Sequence, residues 1–102
     1  MMTSISRIDL AASFPGMASR EVGDLALADM VKALNESDVL ELDFGGVSPS
    51  PSFADQAVGN LAGRLGLDEF RRRVRIKNAP PDAAPLLRHV ILRKVSLARA
   101  KP

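Results

Sequence analysis

Apolar positions along this chain change their period as it proceeds, and the changes mark its elements. In Ser4-Ile-Ser-Arg-Ile-Asp-Leu10 they fall at Ile5 and then, after a slip, at Ile8 and Leu10. That near-alternation predicts a strand. Phe14-Pro-Gly16 is turn chemistry. From Ser19 to about Asn35 the period lengthens. Val22, Gly23, Ala26, Leu27, Met30, Ala33 and Leu34 share one arc of a helical wheel, and Arg20, Glu21, Asp24, Asp29 and Lys32 fill the opposite arc. This predicts a helix laid with one face on a sheet, Ser19 as its cap and Glu21 near the positive end of its dipole.

Val39–Phe44 returns to a period of two, with Leu40, Leu42 and Phe44 alternating against Glu41 and Asp43, and predicts a second strand. Gly45-Gly46 and a run rich in hydroxyls follow, and then a second helix from about Ser52 to Leu65. Its apolar arc holds Phe53, Ala54, Ala57, Val58, Leu61, Ala62 and Leu65, while Asp55, Gln56, Gly59, Asn60 and Gly63 lie opposite. Gly66 suits the position just past a helix end, and Leu67–Phe70 fits a further short helical turn. Val74–Lys77 reads as a third strand closed by Asn78-Ala-Pro-Pro81. A last helix starts near Asp82 and aligns Ala83, Leu86, Leu87, Val90, Ile91, Val95 and Leu97.

The order is β-α-β-α-β-α, which predicts an α/β domain with a small, mainly parallel sheet flanked by helices and joined by right-handed crossovers. A fourth short strand near Phe14–Met17, or a partner, would be needed to cover a free sheet edge. At 102 residues the chain has room for one core, so residues 1–102 are read as a single domain with its core at about 5–98. With no Cys, disulfides and thiolate metal sites are excluded, and no apolar run has the length of a membrane span. A cytoplasmic location is expected.

Charge is unevenly shared. Residues 1–62 hold three Lys/Arg against nine Asp/Glu, and residues 63–102 hold eleven against three. The densest stretch is Arg71-Arg-Arg-Val-Arg-Ile-Lys77, whose Arg71, Arg72, Arg73, Arg75 and Lys77 are candidates for phosphate contact in a nucleic-acid-binding alternative. Against it, the chain lacks Tyr and Trp for base stacking, and a strand can bury Val74 and Ile76 while Arg75 and Lys77 face outward. The charge split is better read as two halves that interleave in space.

Candidate chemistry is sparse. Asp43 and Asp55 are a candidate carboxylate pair for metal or acid–base work, but a polar-face Asp on a strand and another on the solvent face of a helix are the commoner reading. His89, the only histidine, lies on the polar arc of the last helix and reads as a surface residue. Gly45-Gly46 lacks the phosphate-loop and dinucleotide spacings and reads as a tight turn. No cofactor, metal site or catalytic residue is expected, and the chain is read as non-enzymatic.

Leu40-Glu-Leu-Asp-Phe-Gly-Gly-Val47 followed by Ser52-Phe-Ala-Asp55 resembles the bacterial STAS-like domain family of unknown function. Ala18-Ser-Arg-Glu21 before the first helix and Val74-Arg-Ile-Lys-Asn78 before the last are similar to the same family, so the resemblance covers roughly residues 5 to 98. It implies a distant relative of anti-sigma-factor antagonists, which are binding modules that dock on histidine-kinase-like ATPases and carry a phosphorylated hydroxyl at the start of their second helix. Their switch motif is an Asp, two hydroxyl residues and a Gly. Those slots fall here on Pro51, Ser52, Phe53 and Ala54. The slot usually phosphorylated, the second of the hydroxyl pair, holds Phe53, a departure from the pattern, and the neighbouring Ser52 is the candidate phosphoacceptor. The expected docking surface is the Ser48–Asp55 loop and helix start, with Ser48, Ser50, Ser52, Phe53 and Asp55 as contacts and Arg20 as a charged rim. Ser52 is also expected to cap the helix, and Ser48-Pro-Ser-Pro51 to form a stiff exposed loop. The expected partner is a signalling protein, a histidine-kinase-like ATPase among the candidates, with homo-oligomers left open.

Overall fold

The computed structural model of the chain describes residues 2–100. Three strands form one sheet in the order β1-β2-β3, with β1 at Ile5–Asp9, β2 at Val39–Asp43 and β3 at Val74–Lys77. Both pairings are parallel, and the register sets Arg7 beside Glu41 and Glu41 beside Arg75. Phe14–Met17 forms a turn, so the described residues contain no fourth strand there.

Helices fill the connections. The single turn α1 (Leu10–Ser13) closes β1, and α2 (Arg20–Glu36) crosses to β2. The second crossover begins with α3 (Pro51–Ala54), widens into a π turn at Asp55–Gly59 and continues as α4 (Asn60–Leu65). Backbone angles stay in the right-handed helical region through both joints, so this is one rod. Gly66, at φ 82°, breaks it and α5 (Leu67–Arg73) leads into β3. A 3-10 turn at Pro81–Ala83 opens α6 (Ala84–Ala100).

Because the strands progress in one direction across the sheet, crossovers of one hand stack their helices on one face. That face carries Leu40 and Leu42, both fully buried. The other face presents Arg7 and Arg75, whose side chains are 61% and 51% exposed, on either side of Glu41. Cation, anion and cation side by side across three strands replace the apolar cover that a parallel sheet ordinarily receives on its second face.

The core centres on Leu10, Met30, Leu40, Leu42, Phe44, Phe53, Val58 and Leu61. The rod is wedged between α2 and α6, and two glycines permit the approach. A Cβ on Gly23 would stand 3.1 Å from the Phe53 carbonyl oxygen, and one on Gly59 would stand 3.2 Å from that of Val90. Gly59, expected on a polar arc, is therefore buried, because α6 packs against the rod there.

Candidate functional site

The loops that leave the three strands meet at their carboxyl ends, the end of an open parallel sheet where ligands and partners dock. Gly45 and Gly46, at φ 59° and 76°, turn the chain out of β2. Main-chain bonds from Phe44 N to the Lys77 carbonyl at 2.9 Å and from Gly46 N to the Asn78 carbonyl at 2.7 Å stitch this turn to the end of β3.

Asp43 fixes the same turn from its side chain. Its Oδ1 accepts the Gly45 N–H at 2.8 Å and the Asn78 amide at 3.0 Å, and Oδ2 takes the Arg7 guanidinium. The Asn78 amide does most to hold this carboxyl below the ordinary range. The Gly45 N–H adds to it, burial opposes, and Arg7 contributes last. Asp43 was expected on a polar, solvated face, and it is 4% exposed. A strand-end Asp two residues before Gly is the sequence signal for such an Asx turn.

The Ser48–Asp55 stretch is tied down on both sides. Ser48 Oγ donates to the Asp82 carboxylate at 3.3 and 3.4 Å, joining the loop to the turn before α6. The Ser50 N–H donates to the Met17 carbonyl at 2.9 Å, and its Oγ to that of Ala18 at 2.8 Å. The same Ser50 Oγ accepts the Phe53 N–H at 3.1 Å. Ser50 is therefore the cap, with Pro51 at the first helical position, where its missing N–H costs nothing. Ser52 sits inside the first turn, exposed, and caps nothing.

Asp55 begins the π turn and gathers cations from two other helices. Its oxygens lie 3.1 Å from Arg20 Nη1, 3.2 Å from Arg93 Nη1 and 3.3 Å from Lys94 Nζ. Partial burial pushes this carboxyl up, and Arg20, Lys94 and Arg93 together outweigh it, so the group rests below its ordinary value. Arg20 also reaches Gln56 Oε1 at 3.1 Å, and Gln56 donates to Asp24 at 3.0 Å. The cluster links α2, the rod and α6.

This strand, turn and rod are the centre of a family pattern. The model of the STAS-like domain of unknown function matches residues 26–84, more than half of the chain. The chain belongs to that family. No curated protein and no solved structure matches it. The matched region of the STAS-like domain runs from the middle of α2 to the start of α6, so it takes in β2, the whole junction and β3.

Within this STAS-like domain the sequence-derived contact residues separate. Ser48 and Ser52 are exposed, and Arg20 is half-exposed at the rim. Phe53 is fully buried, its ring 6.4 Å from that of Phe14, and contacts the core instead of the surface. Ser50 is half-buried with its hydroxyl used twice, and Pro49 is buried, so the loop is less exposed than its composition suggests. Asp55 is drawn from the solvent face into its ring of cations, because α6 closes over that side. Asp43 and Asp55 engage separate partner sets and form no pair. Among the described residues no three His, Cys, Asp or Glu side chains converge as metal ligands, and His89 is exposed.

The basic stretch divides too. Arg73 cannot offer its charge to a phosphate: Nε donates to the Asp38 carbonyl at 2.9 Å and Nη2 to those of Leu34 at 2.6 Å and Ser37 at 2.9 Å, and Nη1 pairs with Glu69 at 3.0 Å. It closes the carboxyl end of α2, where a cation also suits the dipole. Arg71 and Arg72 are exposed on α5, which runs three residues beyond its expected end. Arg75 and Lys77 point to the open face of the sheet, with Arg75 3.9 Å from Glu41. No helix among the described residues is long and apolar enough to cross a membrane.

Proposed function

We propose that this STAS-like domain is a non-enzymatic regulatory module that docks a signalling protein on the face formed by the Ser48–Ser52 loop and the outer side of the following rod. The observation that carries this reading is the contrast within one turn of chain. Ser50 and Phe53 are anchored inward, and Ser52 is left exposed on a backbone that cannot shift freely. A rigid loop presents its exposed groups at little entropic cost to a partner, and Ser48 and Arg20 border the same surface. Ser52 is the hydroxyl a kinase would reach, and its phosphorylation would place about two negative charges in the middle of the contact. A histidine-kinase-like ATPase is the partner class that the resemblance to anti-sigma-factor antagonists suggests, and the mechanism is competitive docking: occupancy of this face sequesters or releases the partner.

The test is capture from native lysate by wild type, Ser52→Asp and Ser52→Ala, identified by mass spectrometry at low and high salt. The expected result is one signalling ATPase retained at high salt by wild type and Ser52→Ala and lost with Ser52→Asp. Recovery of nucleic acid alone, released by salt and indifferent to Ser52, would overturn the reading in favour of the basic stretch.

A further inference from the structure

On the far side of the sheet from β1, the free edge of β3 borders an apolar groove of about 390 Å³. Phe70 of α5, Ile76 of β3, and Leu87 and Ile91 of α6 line it, with Arg71 and Arg88 among its walls. Leu92, 45% exposed, extends the apolar surface along α6.

The backbone beside the groove is available for pairing. The Lys77 carbonyl accepts from Phe44 N on the β2 side, and alternation turns the N–H and C=O of Ile76 the other way. Among the described residues no strand pairs with that side of β3. Side chains alternate in step: Ile76 enters the groove, and Arg75 and Lys77 stand exposed on the opposite face. A strand laid along this edge would send every second side chain into an apolar groove and the others alongside two cations.

We propose that the β3 edge is a strand-addition site for an extended acidic peptide in which branched apolar and carboxylate residues alternate. Main-chain pairing supplies the affinity common to such sites, and the groove and the cations read the alternation. Among the described residues, Arg71, Arg88 and Lys77 have no carboxylate within 4.0 Å, and Arg75 shares only Glu41 at 3.9 Å. Arg75 and Lys77 stand on the face where the peptide's polar side chains emerge, so carboxylates are favoured there, and Arg71 and Arg88 flank the groove. A second copy of this chain is disfavoured by the same charges. Joining two β3 edges brings Arg75 and Lys77 of one copy against those of the other, which is how cationic edges resist self-pairing.

The probe is a fluorescein-labelled synthetic heptapeptide alternating valine and glutamate, followed by anisotropy at near-physiological salt. Saturable binding is expected. It should weaken about tenfold or more in Leu92→Glu and in Lys77→Glu, both exposed positions whose variants are checked for folding by circular dichroism. Two analogues N-methylated on alternate amides, in the two possible frames, should differ, one binding and the other failing, because only one frame faces β3. A peptide of the same composition with its glutamates in one block should bind about tenfold more weakly. The proposal is overturned by any of four results: no binding up to about 1 mM, equal binding of the blocked peptide, equal binding of both methylated frames, or displacement of the peptide by an uncharged apolar heptapeptide as effectively as by itself. Sedimentation of the wild type as a dimer that Leu92→Glu dissolves would assign the edge to a second copy and overturn it as well.

Discussion

The Ser48–Asp55 junction and the Arg71–Lys77 stretch look alike as sequence. Each packs residues suited to binding into fewer than ten positions, and each spends some of them on the fold. At the junction the hydroxyl of Ser50, the ring of Phe53 and the carboxylate of Asp55 all turn inward or across to neighbouring helices. In the basic stretch Arg73 does the same, spanning from α5 to the last turn of α2. What differs is what remains. The junction leaves one hydroxyl and a fixed loop, whereas the basic stretch leaves Arg71, Arg72 and Lys77 with no carboxylate within 4.0 Å among the described residues, near an apolar groove. A cluster of functional-looking residues marks a region, and its hydrogen bonds decide which members are free to meet a partner.

The inward members should be separable from the outward ones by stability alone, measured as urea midpoints at constant slope. Phe53→Ala carries the largest effect. A fully buried aromatic beside Phe14 is lost, and about 3–5 kcal/mol of destabilisation is expected. A loss below about 1 kcal/mol would mean that the ring is not a core anchor, and would return it to the contact surface. Arg73→Ala comes next, at about 2 kcal/mol, because three main-chain carbonyls at the end of α2 lose a charged donor. Arg72→Ala, exposed on the same short helix, is expected within about 0.5 kcal/mol of wild type. Equal effects at the two arginines would erase the distinction drawn within the basic stretch.

A finer version of the same comparison uses two serines two residues apart. Ser50→Ala removes the cap and is expected to cost about 1 kcal/mol, and Ser52→Ala to cost less than about 0.5 kcal/mol. The reverse order would make Ser52 the cap and remove it as a free phosphoacceptor.

Much of the fold is legible in the sequence because period reports burial directly. Ile8 and Leu10, the Val39–Phe44 alternation and the arcs of α2 and α6 all locate their elements within a few residues. What the sequence does not disclose is contact at a distance. Ser50 outcompetes Ser52 as the cap because its hydroxyl also reaches Ala18, 32 positions away. A helical wheel assigns Asp55 to solvent, since it knows only one buried face, and the rod is covered by α2 on one side and α6 on the other. Gly59 was the available clue: a glycine inside a helix is costly unless another backbone must come close. Arg73 is likewise indistinguishable from Arg71 and Arg72 until α5 is placed against the end of α2. The Asp43 turn was closer to hand, signalled by Asp-Phe-Gly, although its partners come from elsewhere, Arg7 from β1 and Asn78 from just past the end of β3.

The smallest expected effect concerns the two carboxylates, and it sharpens the contrast between them. Both have a folded-state pKa below the unfolded value of about 3.9, so each contributes stability that is fully present above that value and lost as pH falls through the lowered folded pKa. Asp43→Asn and Asp55→Asn should each lower stability at neutral pH and flatten the acid limb of the stability curve below about pH 4. Their response to salt should differ. Asp43 is held chiefly by the Asn78 amide and the Gly45 N–H, which are dipoles in close contact, whereas Asp55 depends on Arg20, Lys94 and Arg93, two of them more than half exposed. Salt screens exposed charges far more than short hydrogen bonds to neutral groups. In Asp43→Asn, where Asp55 alone of the two remains, the acid limb should weaken as salt rises. In Asp55→Asn, where Asp43 remains, it should change little. Urea melts across pH at two salt concentrations read both outcomes, and matching salt dependence in the two variants would show that Asp43 also rests on Arg7 and the charges of the open sheet face.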